Sequence, residues 1–157
     1  MNLIFKNIPY KKIPFEKVRE EIKRMFPNST IEKWHLIPND IGRLAYSAGI
    51  IFSWKEVDWW NAFEYGNKEF GVKKFLSILF PGPIPGNSEV IVVTDECFAD
   101  KSAYQLRYEN LKIFCDAVYP NIHQMEFFQP LDFIFLFVQH KLLIVLHHEG
   151  LVTHFKI

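Results

Sequence analysis

The chain has 157 residues, of which 49% are hydrophobic and 23% charged, and its 18 Lys or Arg balance 18 Asp or Glu. This length suits one domain with a sizeable core, so we expect a single domain over residues 1–157. Zero net charge argues against a dedicated nucleic-acid-binding protein, which would carry a basic surface.

The charges are unevenly distributed along the chain. Residues 1–80 hold thirteen Lys or Arg against nine Asp or Glu, and residues 81–157 hold five against nine. The acidic second half suits a basic protein partner, although ordinary surface scatter gives small imbalances of this kind. Aromatic residues reach 17%, with sixteen Phe. Burial in a core is the favoured interpretation of this surplus, and an aromatic contact surface is the alternative.

The two cysteines, Cys97 and Cys115, form no disulfide framework and fit a reducing compartment as buried, inert thiols. The first residues lack the basic-then-apolar order of a signal peptide. The longest apolar run is interrupted by Gln139, His140 and Lys141, which makes it too polar at its centre to span a membrane. These features predict a cytoplasmic protein without a membrane partner.

The first half of the chain predicts two helices. Pro14 to Phe26 carries an apolar stripe at helical spacing, and residues 67–80 repeat such a pattern. Residues 31–54 fit a strand or a helix, and the aromatic window 54–66 fits a helix face. The stretch 81–86, Pro-Gly-Pro-Ile-Pro-Gly, predicts a rigid connector between a helix-rich half and a sheet-rich half.

The second half predicts a sheet. Residues 89–94 form a short, continuous apolar run typical of a central strand. The pattern then favours a helix over 102–118 and a strand over 123–128, an arrangement that would make the two strands parallel.

The last 25 residues carry three apolar runs, 133–138, 142–147 and 151–156, separated by short polar breaks. They predict a three-strand antiparallel meander. The predicted fold class is therefore α/β or α+β, with a mixed, mostly antiparallel sheet and helices packed on it.

Two-residue loops at 139–140 and 149–150 would fix the register of this meander. Asp132 would then pair with His147, and His154 would lie diagonally across from His147 on the same face. One Asp and two His can begin a metal site or an acid–base pair. The spacing matches no established ligand pattern, so satisfied strand-end residues are the favoured interpretation, and no metal is expected. The opposite face would carry the apolar set Phe133, Phe135, Phe137, Leu142, Ile144, Leu146, Leu151 and Phe155.

Asp95 and Glu96 follow the central strand, at the position where ligands often bind in α/β sheets. A carboxylate there could hold Mg²⁺, but no glycine-rich phosphate loop accompanies it, and a turn-capping role for Asp95 is favoured. The chain also lacks a nucleophile elbow and a Cys-x-x-Cys motif. We therefore predict no catalytic residue and no cofactor.

In overall character, a small, aromatic-rich α/β chain without a catalytic constellation, the protein resembles the immunity proteins of bacterial toxin–immunity systems, including contact-dependent growth inhibition. The resemblance implies a cytoplasmic inhibitor that binds one cognate toxin and blocks its active site. No functional residue is carried over from that family. The alternative is a small metal-dependent or acid–base hydrolase that uses Asp95, Asp132, His147 and His154. From charge alone, the predicted surface for a basic partner comprises Asp95, Glu96, Asp100, Glu109 and Asp116.

Overall fold

The computed structural model describes residues 9–25, 51–56, 68–129, 131–148 and 150–156, with residues 51–56 and 68–70 described by their backbone alone. Seven strands form one sheet in the order β1-β4-β3-β5-β6-β7-β2, and every neighbouring pair is antiparallel. The strands are β1 (Tyr10–Pro14), β2 (Ile51–Glu56), β3 (Glu89–Val93), β4 (Ser102–Arg107), β5 (Phe133–Phe137), β6 (Leu142–Leu146) and β7 (Leu151–Lys156).

Within the described ranges, three α-helices, one composite helical segment and a 3₁₀ turn at Val138–His140 accompany the sheet. The helices are α1 (Phe15–Met25), α2 (Lys68–Leu79) and α3 (Asp95–Asp100). The composite segment, called the helical segment 108–123 below, begins with a 3₁₀ turn and contains a π-helical turn at Phe114–Val118. No helix in the described ranges combines the length and the apolar character needed to cross a bilayer.

The predicted α/β class, the first two helices and the C-terminal meander are confirmed. Helix α1 buries Phe15, Val18, Ile22 and Met25, the stripe expected from helical spacing. Strands β5, β6 and β7 pair in sequence, with Phe135 opposite Ile144. The central position predicted for residues 89–94 is also correct, because β3 lies between β4 and β5.

The parallel strand pair predicted from residues 89–94 and 123–128 is wrong. Residues 102–107 form strand β4 rather than the start of a helix, and residues 124–128 adopt irregular structure. The reason lies at Lys101, which ends the six-residue helix α3 in a left-handed conformation with φ 54° and turns the chain straight back into β4. Antiparallel pairing follows because so short a connection cannot cross over the sheet.

Both faces of the sheet are buried at its inner strands β3, β5 and β6. One face, called the Phe face, carries Phe133, Phe135 and Phe137. The other face carries Ile134, Leu136 and Val145, also buried. Aromatic contacts cover the Phe face: Phe75 of α2 stacks on Phe128 with ring centroids 4.6 Å apart, and Phe80 meets Phe135 at 5.5 Å. Within the described residues, the Phe surplus therefore fills the core, as the favoured interpretation predicted.

The connector at residues 81–86 is irregular, as its prolines predict. Strands from both sides of it share the one sheet, since β1 and β2 precede it and the other five strands follow. The sequence expectations for residues 31–50 and for the aromatic window from residue 57 to residue 66 lie outside the described residues.

Candidate functional site at the α3 end of the sheet

Three strands bring polar residues together at the end of the sheet where α3 lies, called the α3 end below. Val93 pairs with Ile134, and Phe133 pairs with Leu146. Continuing the β5–β6 register places Asp132 opposite His147. Asp95 begins α3 directly after β3, and it lies close enough to Asp132 for the two residues to interact electrostatically. The predicted pairing of Asp132 with His147 therefore agrees with the register, although the β5–β6 loop spans residues 138–141 rather than two residues.

The local sequence explains why Asp95 stays at this end. Thr94 ends the extended run with φ −121° and ψ 172°, and its N–H lies 3.4 Å from Cys97 Sγ. The backbone N–H of Cys97 donates to the Thr94 carbonyl at 3.1 Å. Helix α3 thus begins directly after β3, and Asp95 and Glu96 occupy its first turn.

The β6–β7 loop differs from the prediction, and the difference moves a histidine. The loop has three residues, 148–150, rather than two at 149–150. The N–H of His147 donates to Leu151 O at 2.8 Å, and the N–H of Gly150 donates to His147 O at 2.8 Å. Gly150 has φ 90°, the left-handed conformation that a three-residue hairpin loop requires at its last position.

The extra loop residue shifts the register of β7 by one and exchanges its faces. Leu146 pairs with Val152, and Ile144 pairs with His154. The predicted grouping of Asp132, His147 and His154 is therefore wrong: His154 lies on the Phe face, where its Nε2–H donates to Leu79 O at 2.6 Å. The predicted places of Leu151 and Phe155 on that face are wrong for the same reason.

His148 takes the position beside Asp132 that the sequence pattern predicted for His154. Asp132 Oδ1 accepts the backbone N–H of His148 at 2.8 Å and its ring Nδ1–H at 3.1 Å. The imidazole rings of His147 and His148 lie with centroids 3.9 Å apart. One potential ligand atom from each of Asp132, His147 and His148 lies within 4.8 Å of the other two.

Asp95 contributes a second carboxylate to this region. Burial raises the pKa of Asp95 above its usual 3.8, and the nearby carboxylate of Asp132 raises it further. Asp95 therefore holds its proton more tightly than a solvent-exposed aspartate does.

The structure brings together three of the five residues predicted to meet a partner. Asp95, Glu96 and Asp100 all lie on α3. Glu109 follows the far end of β4, where it pairs with Arg107 at 3.6 Å, so the length of that strand separates it from α3. Asp116 lies in the π-helical turn and pairs with Lys112 at 3.8 Å.

Sequence reasoning missed a second polar group at the α3 end. The hydroxyl of Tyr104 lies 2.7 Å from His123 Nε2, and that nitrogen lies 3.8 Å from Glu96 Oε1. Burial raises the pKa of Tyr119 well above its usual range, and the proximity of Glu96 adds to the rise. The alternation of Tyr104 and Leu106 with Gln105 and Arg107 is the strand signal that would have placed Tyr104 in the sheet.

Both cysteines are buried, as predicted, and neither is in a disulfide. Burial raises the pKa of each thiol. A thiol of raised pKa in apolar surroundings is a poor nucleophile, so neither Cys97 nor Cys115 contributes chemistry to the site.

Comparison with protein-family models, curated proteins and solved structures found no match to this chain.

Proposed function

We propose that this protein is an immunity-type inhibitor, a cytoplasmic binding protein that neutralises a cognate toxin by covering its active site. The observation that carries the proposal is the placement of three carboxylates, Asp95, Glu96 and Asp100, on one six-residue helix at an end of the sheet. Such a concentration of negative charge favours a partner whose binding surface is basic, as active sites that act on phosphodiesters are.

The charge distribution along the sequence supports the same proposal. Residues 81–157 contain five Lys or Arg and nine Asp or Glu, and α3 itself contains no basic residue. Complementary charge speeds the encounter of two proteins more than it tightens their final complex. An inhibitor that must capture a toxin soon after it enters a cell gains from rapid association.

The test is the growth of cells that co-express this chain with candidate toxin domains, beginning with the product of any toxin gene found next to its own gene. The wild-type chain should restore growth and should bind the purified toxin. Asp100→Lys should slow association and weaken its dependence on salt, because Asp100 is exposed at the rim of α3. Glu96 is not substituted, because it contacts His123. A loss of binding in a Glu96 variant could then come from a disturbed structure and not from the lost charge.

Glu109→Lys is the matched control, because it makes the same charge change at the far end of β4. It should leave association unchanged. Equal effects of Asp100→Lys and Glu109→Lys would place the interface elsewhere, and failure of the wild-type chain to protect cells would overturn the proposal.

A second candidate, a small hydrolase, is favoured by one observation: the Asp132 carboxylate lies 3.1 Å from the His148 ring nitrogen, with His147 and Asp95 close by. A carboxylate beside an imidazole can orient it as a general base. Asp132→Asn separates the two candidates. An inhibitor that works by occlusion keeps its protection of cells in this variant, whereas a hydrolase loses turnover of ester and phosphoester substrates.

A further inference from the structure

We infer that Asp132, His147 and His148 form a binding site for a divalent transition-metal ion of the zinc class. The proposed inhibitor function needs no metal, so this site goes beyond it. The site would exist whether or not the chain is also a hydrolase. The inference rests on the chemistry of the three donors, on their spacing and on the way in which the backbone holds them.

The donor set suits zinc. Two imidazole nitrogens and one carboxylate oxygen are ligands that Zn²⁺ takes in proteins, whereas Ca²⁺ and Mg²⁺ prefer oxygen donors alone. Three protein ligands also leave a coordination position for water, which is the arrangement of zinc sites that perform chemistry rather than support a fold.

The spacing is close to what a tetrahedral ion requires. Zinc bonds of about 2.0–2.2 Å place neighbouring donors roughly 3.3 Å apart. Asp132 Oδ1 and His148 Nδ1 are separated by 3.1 Å, and all three donors fall within 4.8 Å. Without the ion, the proton on His148 Nδ1 bridges this pair, so binding of the ion would displace that proton to solvent.

The backbone holds the three residues in place. Two hydrogen bonds, His147 N–H to Leu151 O and Gly150 N–H to His147 O, close the hairpin on which both histidines lie. The backbone N–H of His148 then fixes the Asp132 carboxylate across the strand boundary at 2.8 Å. Outer hydrogen bonds of this kind orient metal ligands and raise affinity.

The site is also reachable from solvent. The side chain of His148 is 51% exposed and that of Asp132 is 23% exposed. An ion can therefore reach these side chains without unfolding of the hairpin.

The experiment is a titration of tag-free protein, stripped of metal with a chelator, against Zn²⁺ in competition with a chromophoric chelator. Co²⁺ serves as a second probe, because its visible absorption reports tetrahedral coordination. One equivalent of each ion should bind to the wild-type chain. His148→Ala should weaken Zn²⁺ binding at least tenfold, which corresponds to about 1.4 kcal/mol.

Two further variants make the result decisive. Asp132→Asn keeps an oxygen that accepts the His148 N–H but removes the charge, so it should stay folded and still lose affinity. His140→Ala, at the opposite hairpin beside Ser88, should bind as the wild type does. No stoichiometric binding by the wild-type chain would overturn the inference. The inference would also be overturned if Asp132→Asn and His148→Ala both bound Zn²⁺ as tightly as the wild-type chain does.

Discussion

The hydroxyl of Tyr104 and Nε2 of His123 lie 2.7 Å apart and join strand β4 to the end of the helical segment 108–123. The Tyr104 ring is buried against Phe114, with centroids 5.1 Å apart, whereas His123 is partly exposed. The hydrogen bond therefore anchors the last turn of that segment to β4.

Tyr104→Phe should lower the free energy of unfolding by about 1 kcal/mol, because it removes this hydrogen bond and leaves the ring in place. The measurement is urea denaturation of a double-mutant cycle with His123→Gln. The two substitutions share one bond, so their combined effect should be smaller than the sum of the single effects. Strict additivity would show that the contact contributes nothing.

Phe135→Ala should lower the free energy of unfolding by about 3–5 kcal/mol, because it empties a fully buried site between Phe80 and Phe127. Chemical denaturation measures the change. Ile122→Ala, at a side chain that is 43% exposed, is the control and should change stability by less than about 0.5 kcal/mol. A loss below about 1 kcal/mol at position 135 would contradict the described core.

Gly150→Ala should destabilise the chain by about 1–2 kcal/mol, because φ 90° is unfavourable for a residue with a Cβ. Gly82→Ala is the matched control: an added Cβ there meets nothing within 4 Å. It should leave the melting temperature unchanged or slightly raised, since alanine restricts the unfolded chain more than glycine does. Equal melting temperatures for the two variants would argue against the three-residue loop.

Asp95→Asn should stabilise the metal-free protein at neutral pH and have little such effect in strong acid. Burial and Asp132 raise the pKa of Asp95 above 3.8 in the folded state, so the folded chain holds this proton more tightly than the unfolded chain. The stability that Asp95 contributes is complete below its unfolded pKa and is lost as the pH rises through its folded pKa.

The check is thermal unfolding of wild type and Asp95→Asn between pH 3 and pH 7, with chelator present. The gap between their melting temperatures should widen as the pH rises. The control is Asp100→Asn, at the exposed end of the same helix, whose melting temperature should follow that of the wild type. A gap that narrows towards neutral pH would mean that folding lowers the pKa of Asp95 instead of raising it.

The meander was predictable from sequence because its strands are long apolar runs bounded by polar breaks. Its second loop was not, because Glu149 and Gly150 are compatible with a two-residue turn and equally with the end of a three-residue loop. This difference of one residue in loop length decides the face of the sheet on which His154 lies. The pairing of Asp132 with His147 does not depend on it, and this part of the site was predicted correctly.

Strand β4 was misassigned because Ala103 and Leu106 fit helical spacing while Tyr104 and Leu106 fit the alternation of a strand. Six residues are too few to choose between the two periods. Helix α3 is likewise too short to display a period, and its end depends on Lys101 adopting a left-handed conformation, which sequence favours only weakly outside Gly and Asn. The missed contact between Tyr104 and His123 follows from these two errors.

The pairing of β2 with β7 affects how the chain acquires its structure during synthesis. Ile51 lies opposite Lys156, so β2 leaves the ribosome about 100 residues before the strand that completes it. Strand β1 also has no pairing partner until β4 is synthesised, although for a shorter time. Contacts between residues so far apart in the sequence form late in folding and lower the folding rate. The nascent chain therefore carries unpaired strands through most of its translation, and we expect its yield of native protein to depend on translation speed and on chaperones that shield them.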